Sequence, residues 1–399
     1  MKRVLFISPS SYPVHSAESV VNMKLLHALS TSGDFDIDLI SRREKYKNYP
    51  TFPISKLGCS FNNHIIIEVD NKIWNPIVMW QNLMALFKFG FWFKGCHWAY
   101  PALIQAESLI SKNTYDYVVT KNAPSLLVGY YLKKKYGIKW VASWNDPFPD
   151  VLYPAPYGQG SEYRTYTVNK LIHIMEDADV HIFPNIRLKA YMNKYLNIEN
   201  KKQIVVPHLV NNSTVEDYSP SDTLQLIHSG NLGYPRSPRN LIEGIKKALK
   251  LKPDMKFCLT ILGRMFESDR EYADNSGISH LIRYLPPVDY FESLAEAKKY
   301  DVAIIIEADC AEGIFLPTKV GDYMQLRIPI FSISPSIGVL HDLYDEGYVS
   351  YFAPVSSVDA ICKELLRIYD DFTNNHLGRT NRIKREFLQD YIVSEYSSI

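Results

Sequence analysis

The chain has 399 residues, of which 46% are hydrophobic and 22% are charged, and its formal net charge is +1. This length is too great for one ordinary core and predicts two domains, while the near-neutral charge excludes a long-range field that gathers nucleic acid. The five cysteines are odd in number and widely scattered, which argues against a disulfide framework and is typical of a cytoplasmic protein.

Short β-branched runs alternate with helix-length segments along the chain, a pattern typical of parallel sheets with crossover helices. In the first half we predict strands at Arg3–Ser8, Phe35–Ile40, His64–Val69, Tyr117–Thr120, Lys139–Ser143, Val180–Phe183 and Ile204–Val206. The main helices of this half are predicted at Glu18–Leu29, Ser125–Tyr136 and Arg164–Glu176. The first apolar run is too short for a signal peptide, and no run reaches the roughly 18 residues of a membrane span.

The loop after the first strand, residues 9–18 (PSSYPVHSAE), contains small and polar side chains and then begins a helix. The first turn of a helix has unpaired amides and partial positive charge. We therefore assign His15 and Ser16 to a loop that binds an anion or a sugar hydroxyl, such as the hydroxyl of a molecule that accepts a sugar. The alternative is that Ser16 simply caps the helix.

Residues 74–100 form the most aromatic segment of the chain, and Lys88 and Lys94 lie within it. Its rings between positions 80 and 98 are Trp80, Phe87, Phe89, Phe91, Trp92, Phe93 and Trp98. Helices that lie in a bilayer interface combine apolar bulk with lysine and tryptophan, so one hypothesis is peripheral membrane contact through this segment, on the inner face of the membrane. The alternative is a helix buried against the first sheet.

The segment SWNDPFPD (143–150) follows a predicted strand and places Asp146 at its carboxyl end, where catalytic groups of α/β proteins tend to lie. A carboxylate there orients an acceptor hydroxyl or takes its proton, which makes Asp146 a catalytic candidate. The alternative is that Asp146 stabilises the turn before Pro147.

Polar and turn residues crowd positions 211–222 (NNSTVEDYSPSD), which indicates a linker. We predict an N-terminal domain over 1–212, a C-terminal domain over 213–379, and a helical segment over 380–399 that packs back on the first domain. The second domain is predicted to contain strands Leu224–His228, Lys256–Leu262, Ser279–Tyr284 and Val302–Ile306, and helices Leu241–Leu249 and Tyr290–Lys298. The fold class is therefore α/β with two Rossmann-like domains, and we expect ligands in a cleft on which both domains face.

The second domain begins with a strand followed by SGNLG, which contains Gly230 and Asn231, and Arg236 follows in the same loop. Glycine lets a backbone approach a phosphate closely and arginine neutralises a diphosphate, so these three residues are donor-binding candidates. Arg264 follows the next strand in the same way. Arg239 is an alternative cation, but a solvated helix face also explains it, so we prefer Arg236.

Residues 312–330 (EGIFLPTKVGDYMQLRIPI) place Glu312, Lys319 and Asp322 behind a buried strand. Charged groups stay inside a protein only when they are paired, so these side chains indicate a polar ligand. We predict that Asp322 accepts both ribose hydroxyls of a nucleotide, that Glu312 holds hydroxyls of the donor sugar as a catalytic-site residue, and that Lys319 lies near the phosphates. The alternative is a solvated surface on which Lys319 pairs with Asp309 or Asp322.

Taken in order, SGNLG, ILGR, YLPPVDYFESLAEA, DVAIII and PTKVGDYMQLRIPI resemble successive elements of the GT-B glycosyltransferases, in particular the retaining family 4 group. The likeness runs from Arg3 to about Ile368. It implies that a nucleoside-diphosphate sugar of the UDP or GDP type is the donor, that its diphosphate leaves with help from Arg236 and Lys319, and that anomeric configuration is kept. No metal and no further cofactor are implied.

Two departures from the family pattern concern charge. Members usually carry two acids separated by seven residues, whereas here Glu312 is followed by Val320 at that interval and the acid is Asp322. The phosphate-binding Arg and Lys of the family match Asn231 and Arg236, so one of two cations is retained.

The resemblance implies a retaining, metal-independent hexosyltransferase that acts on a saccharide or lipid-linked acceptor in the synthesis of cell-surface polysaccharide or glycolipid. The departures leave two alternatives of the same fold open. One is a nucleotide-sugar-binding or scaffold protein without turnover, and the other is a sugar-nucleotide epimerase or phosphorylase.

Overall fold

The structure, a computed structural model, describes residues 1–14, 16–44, 56–70, 72, 74–158, 163–210, 221–377 and 383–399. Backbone contacts divide the chain into two compact units. The first comprises Met1–Tyr153, Gly158–Leu209 and Glu386–Ile399, and the second comprises Pro154–Tyr157 and Val210–Arg385. Most of the predicted linker, residues 211–220, lies outside the described residues, as does His15.

The first unit is built on a parallel sheet of order β3-β2-β1-β4-β5-β6-β7. Its strands are β1 (Lys2–Ile7), β2 (Phe35–Glu44), β3 (Asn63–Val69), β4 (Tyr117–Lys121), β5 (Trp140–Ser143), β6 (Val180–Phe183) and β7 (Lys202–Val205). Its helices are α1 (Ala17–Thr31), α2 (Pro76–Phe89), α3 (Cys96–Ile110), α4 (Ser125–Tyr136), α5 (Thr165–Glu176), α6 (Ile186–Asn193) and α13 (Gln389–Ser397).

The second unit is built on a parallel sheet of order β10-β9-β8-β11-β12-β13. Its strands are β8 (Leu224–Ser229), β9 (Phe257–Leu262), β10 (Ile282–Leu285), β11 (Val302–Ile306), β12 (Ile330–Ser334) and β13 (Tyr351–Pro354). Its helices are α7 (Arg239–Leu251), α8 (Glu267–Asp274), α9 (Tyr290–Ala297), α10 (Thr318–Leu326), α11 (Val339–Asp345) and α12 (Val358–Thr373).

The central strands are apolar on both faces because helices cover both sides of a parallel sheet. All five residues of β11 are buried, as are all five of β4, and α7 and α12 pack together over the second sheet. In the first unit α4 lies close enough to β5 that a β-carbon on Gly129 would collide with the Trp140 indole. Trp140 in turn donates a hydrogen bond to Thr120 Oγ1 at 2.8 Å.

The predicted α/β class, with a parallel sheet in each half of the chain, is confirmed. Strands β12 and β13 were not among the predicted elements. The C-terminal helical segment was predicted over 380–399, but α13 begins only at Gln389, where it packs against α1. Among the described residues no helix is both long and apolar enough to cross a bilayer.

Candidate functional site

The polar loops of the second unit lie at one edge of its sheet. Strand β8 lies between β9 and β11, and all three run in the same direction. The loops that follow these strands therefore leave the sheet side by side, at its carboxyl edge, where α/β proteins bind ligands. Six predicted residues lie on these loops or at the start of the next helix: Gly230, Asn231, Arg236, Arg264, Glu312 and Lys319.

Gly230 is the point of closest packing at this edge. Its φ is +121°, which favours glycine, and a β-carbon there would lie 2.5 Å from Cε of Lys319. The Gly230 amide donates to the Leu262 carbonyl at 2.7 Å, so it is not available to a ligand. The space that this glycine leaves is filled by the end of the lysine side chain.

Lys319 is the second residue of α10 and is half-buried. No hydrogen bond or ion pair joins its ammonium to any residue that the structure describes, so it pairs with neither Asp309 nor Asp322. Burial, and after it the Arg236 charge, lower the pKa of Lys319 to about 8, although Glu307 and Asp322 act in the opposite direction. The first turn of a helix also favours anions over cations. A cation in this position is stabilised when an anion binds beside it.

Arg236 is the second cation of this edge and is only loosely held. Its Nη1 lies 3.7 Å from Oε1 of Glu307, and its buried Nε has no hydrogen-bond partner among the described residues. Oε2 of Glu307 accepts a hydrogen bond of 2.8 Å from the Tyr157 hydroxyl. The Nε of Arg236 can therefore donate a hydrogen bond to a bound acceptor.

Glu307 and Tyr157 were missed by the sequence reading. A signal for Glu307 was present, because a charged residue directly follows the buried strand β11. No local sequence pattern around Tyr157 indicates a site residue. It lies in a short piece of the second unit that is separated in sequence from the rest, and its ring packs on Phe315 with centroids 4.6 Å apart.

Asp322 lies one helical turn after Lys319 and is 9% exposed. Its Oδ1 accepts a hydrogen bond of 2.7 Å from the hydroxyl of Tyr290, the first residue of α9. The neighbouring Tyr323 accepts a hydrogen bond of 3.2 Å from the Ser229 amide, which fixes α10 against the end of β8. Residues three apart on a helix share a face, so Lys319 and Asp322 lie on the same side of α10. Asp322 is the more buried of the two. The ribose contact of Asp322 stays a prediction.

The other donor-site candidates have structural partners. Asn231 Oδ1 accepts a hydrogen bond of 3.0 Å from the Arg264 amide, so its side chain joins the loops after β8 and β9. The Arg264 side chain is exposed. Glu312 is half-buried, and its carbonyl accepts a hydrogen bond of 3.3 Å from Cys310 Sγ.

In the first unit, Asp146 follows β5 and lies in a region of negative charge. Burial, and after it the nearby Glu18 carboxylate, raise the pKa of this carboxyl to about 6. Asn122 connects the two segments, because its Nδ2 donates to Glu18 Oε1 at 2.6 Å and its Oδ1 accepts from the Asn145 amide at 3.1 Å. Asn122 adopts a φ of +55°, which asparagine tolerates better than most residues.

Two more polar residues lie at this end of the first unit. Lys121 ends β4, is 4% exposed and donates to Ser143 Oγ at 2.9 Å, and burial lowers its pKa to about 8. The sequence reading missed it. Ser16 caps α1, with its Oγ accepting from the Ser19 amide and its own amide donating to Ser19 Oγ. The role of Ser16 in acceptor binding stays a prediction.

Comparison with known proteins identifies the fold. A glycosyltransferase from Rickettsia africae matches with a TM-score of 0.67 at 13% identity, covering 100% of this chain and 97% of that one. Sucrose-phosphate synthase from Thermosynechococcus elongatus matches with a TM-score of 0.65 at 15% identity, covering 100% and 98%. The Anabaena protein HepE in complex with UDP matches with a TM-score of 0.63 at 13% identity, covering 100% and 99%.

No protein-family model and no curated protein matches the chain. The identities to the solved structures are too low to carry an activity across. They show that the chain has the GT-B fold, as the resemblance in the sequence implied.

Replacing Lys319 with methionine is expected to raise the melting temperature of the ligand-free protein at pH 7. The pKa of Lys319 in the folded state, about 8, is below its ordinary value of 10.5, so the protonated side chain destabilises the folded state below about pH 8. Methionine keeps the length and removes the charge. Lys250→Met on the exposed end of α7 is the matched control and is expected to change little. A lower melting temperature for the Lys319 variant would show that its charge is already compensated.

Proposed function

We propose that this chain is a glycosyltransferase that moves a sugar from a nucleoside-diphosphate sugar to a saccharide or lipid-linked acceptor. The observation that carries the proposal is the pair of cations at the carboxyl edge of the second sheet. Lys319 has no described partner for its ammonium, and Arg236 has a buried Nε without an acceptor. A diphosphate supplies acceptors to both, and the charge that develops on a leaving diphosphate is what such cations stabilise.

We base the proposed donor-binding roles of Asp322 and Glu312 on where each carboxylate lies relative to Lys319. Asp322, three residues after Lys319 and further inside, is suited to the ribose hydroxyls, because a carboxylate accepts two hydrogen bonds at once. Glu312, in the loop before α10, is proposed to hold hydroxyls of the donor sugar. The solved structure of HepE contains UDP, which supports a nucleoside diphosphate of the UDP or GDP type as the ligand here.

For the acceptor we propose that Asp146 takes the proton of the attacking hydroxyl. A general base works best when its pKa is near the working pH, and a value of about 6 is suited to that role. The bond from the sugar to the diphosphate breaks, the bond to the acceptor oxygen forms, and the proton passes to the carboxylate.

The finer parts of the proposal come from the family resemblance. They are a hexosyl group as the sugar, retention of anomeric configuration, turnover without a metal ion, and a place in cell-surface polysaccharide or glycolipid synthesis. A lipid-linked acceptor also requires that the chain works at a membrane surface, on its cytoplasmic side.

One of the two phosphate-binding cations of the resembled family is replaced here by Asn231, so two other functions stay as alternatives. A binding protein of this fold would take up UDP or GDP without turnover, and an epimerase would convert one sugar nucleotide to another. The products of an incubation with donor and acceptor distinguish the three: a new glycoside, no product, or a new sugar nucleotide.

Alanine at Arg236 and methionine at Lys319 are each expected to weaken binding of UDP or GDP by roughly 10- to 100-fold, because each removes a charge-assisted hydrogen bond to the diphosphate. Isothermal titration calorimetry with the nucleoside diphosphate measures this. Arg283→Ala, an exposed arginine of β10, is the control.

Nucleoside-diphosphate affinity that stays within about twofold of wild type in both variants would show that the diphosphate does not bind at this edge. If the nucleotide binds and the variants weaken it, but no glycoside forms with any acceptor, the binding-protein alternative gains support.

The rate of sugar transfer is expected to fall below about pH 6, because a protonated Asp146 cannot accept a proton. Asp146→Asn is expected to lower turnover by about 100-fold or more while nucleotide binding is kept. Glu18→Gln removes a negative charge that raises the pKa of Asp146, so the acid limb of the pH profile moves to lower pH. A pH profile of turnover, measured for all three proteins at saturating donor, checks both effects.

An acid limb that does not move in the Glu18 variant would assign the limb to another group. A turnover in Asp146→Asn equal to that of wild type would remove Asp146 from the catalytic site.

A further inference from the structure

Helix α2 presents an apolar face to solvent. Its two buried residues, Val78 and Ala85, lie on the side that packs against α3. Six large apolar side chains are exposed on the opposite side, where spacings of three and four residues (79, 83 and 86; 80, 83 and 87) align them on one face of the helix, with position 77 at its edge. These residues, called the α2 face below, are Ile77, Met79, Trp80, Leu83, Leu86 and Phe87.

The α2 face is extended by an exposed tryptophan at each end. Trp74 precedes the helix and is 86% exposed, and Trp92 follows it and is 52% exposed. Single exposed apolar residues are normal on a protein surface, but a continuous stripe of this kind marks an interaction surface. Phe91, Phe93 and Trp98, which the sequence reading grouped with this segment, are buried and belong to the core.

The charged residues within positions 71–106, the segment that contains the α2 face, are all lysines, and Asp70 just before it is buried and accepts a hydrogen bond from Asn75. Lys72 and Lys94 are exposed on either side of it, and Lys88 lies on the helix itself, with its ammonium 4.3 Å from the centre of the Tyr131 ring. The sequence contains no aspartate or glutamate between Asp70 and Glu107. The surface therefore combines apolar bulk with cations and is complementary to an apolar layer under an anionic one.

We propose that the α2 face lies in the headgroup region of an anionic bilayer, with the helix parallel to the membrane plane. Tryptophan prefers that region, and lysines beside it are attracted to anionic lipids. A helix of 14 residues is about 21 Å long, shorter than the roughly 30 Å of the hydrocarbon core, so it lies in the interface and does not span it.

A second copy of the chain is a less suitable occupant. A symmetric dimer places the same patch of both copies together. It would bring the lysines around the two α2 faces near each other with no acid of this segment to neutralise them. The membrane proposal rests on this surface alone, so its test does not depend on whether the chain transfers a sugar.

Vesicle flotation tests the proposal. The wild-type protein is expected to float with vesicles of phosphatidylcholine and phosphatidylglycerol, and to float less with phosphatidylcholine alone or at high salt, because salt screens the lysines. Trp80→Ser/Phe87→Ser is expected to weaken the vesicle partition by about tenfold or more, since it removes the two largest side chains of the α2 face.

The matched control is Tyr166→Ser/Ile186→Ser, which changes two side chains of the same unit that are 60% and 59% exposed and lie outside this segment. It is expected to float like the wild type. Both double variants change exposed positions, so unchanged thermal melting is the check that they fold. Binding of UDP or GDP, measured on the same preparations, is expected to be equal in all three proteins.

Wild-type protein that does not float with the anionic vesicles, or a Trp80/Phe87 variant that floats equally well, would overturn the proposal. So would a wild-type dimer that the Trp80/Phe87 variant converts to a monomer without any vesicle binding, because a second copy would then be the occupant. A loss of nucleoside-diphosphate binding in every protein would count against the sugar-transfer proposal and leave this one intact.

Discussion

The packing of the Lys319 side chain against Gly230 holds a cation at the end of β8, and the other polar groups of this edge are arranged around it. Only a glycine leaves space for the lysine end, and the hydrogen bond from the Ser229 amide to Tyr323 keeps α10 beside the strand. The cation is unfavourable there, because it is partly desolvated and lies in the first turn of a helix. An anionic ligand removes that cost, and this is why the geometry favours a diphosphate.

The two acids near this cation also accept hydrogen bonds from tyrosines. Tyr290 donates its hydroxyl to Asp322, and Tyr157 donates its hydroxyl to Glu307. Each carboxylate is therefore satisfied in part by a neutral donor, and neither forms an ion pair with Lys319 among the described residues. Glu307 and Asp322 favour the charged form of Lys319, but burial and the Arg236 charge outweigh them, so the pKa of Lys319 stays below its ordinary value. In the first unit the balance is reversed, since Glu18 and Asp146 place two carboxylates near each other and raise the pKa of the second.

The sequence predicted those features that have a local signal. Strands such as Val180–Phe183 and Val302–Ile306 were located to the residue, because an apolar β-branched run is visible by itself. Lys319 and Gly230 were both selected, but their contact joins residues 89 positions apart and no local pattern shows it. Glu307 and Tyr157 were missed for the same reason: each becomes a site residue only when the fold brings it beside Arg236. The aromatic segment was recognised, yet periodicity could not decide which of its rings face solvent.

The central claim is that a nucleoside diphosphate binds at the carboxyl edge of the second sheet, beside Lys319 and Arg236. A crystal structure of the chain soaked with UDP, and separately with GDP, tests it most directly. The account predicts diphosphate density within hydrogen-bond distance of the Lys319 ammonium and of the Arg236 guanidinium, with the ribose toward Asp322. Well-ordered nucleotide bound elsewhere, with the Lys319 ammonium unchanged and without a phosphate partner, would contradict it.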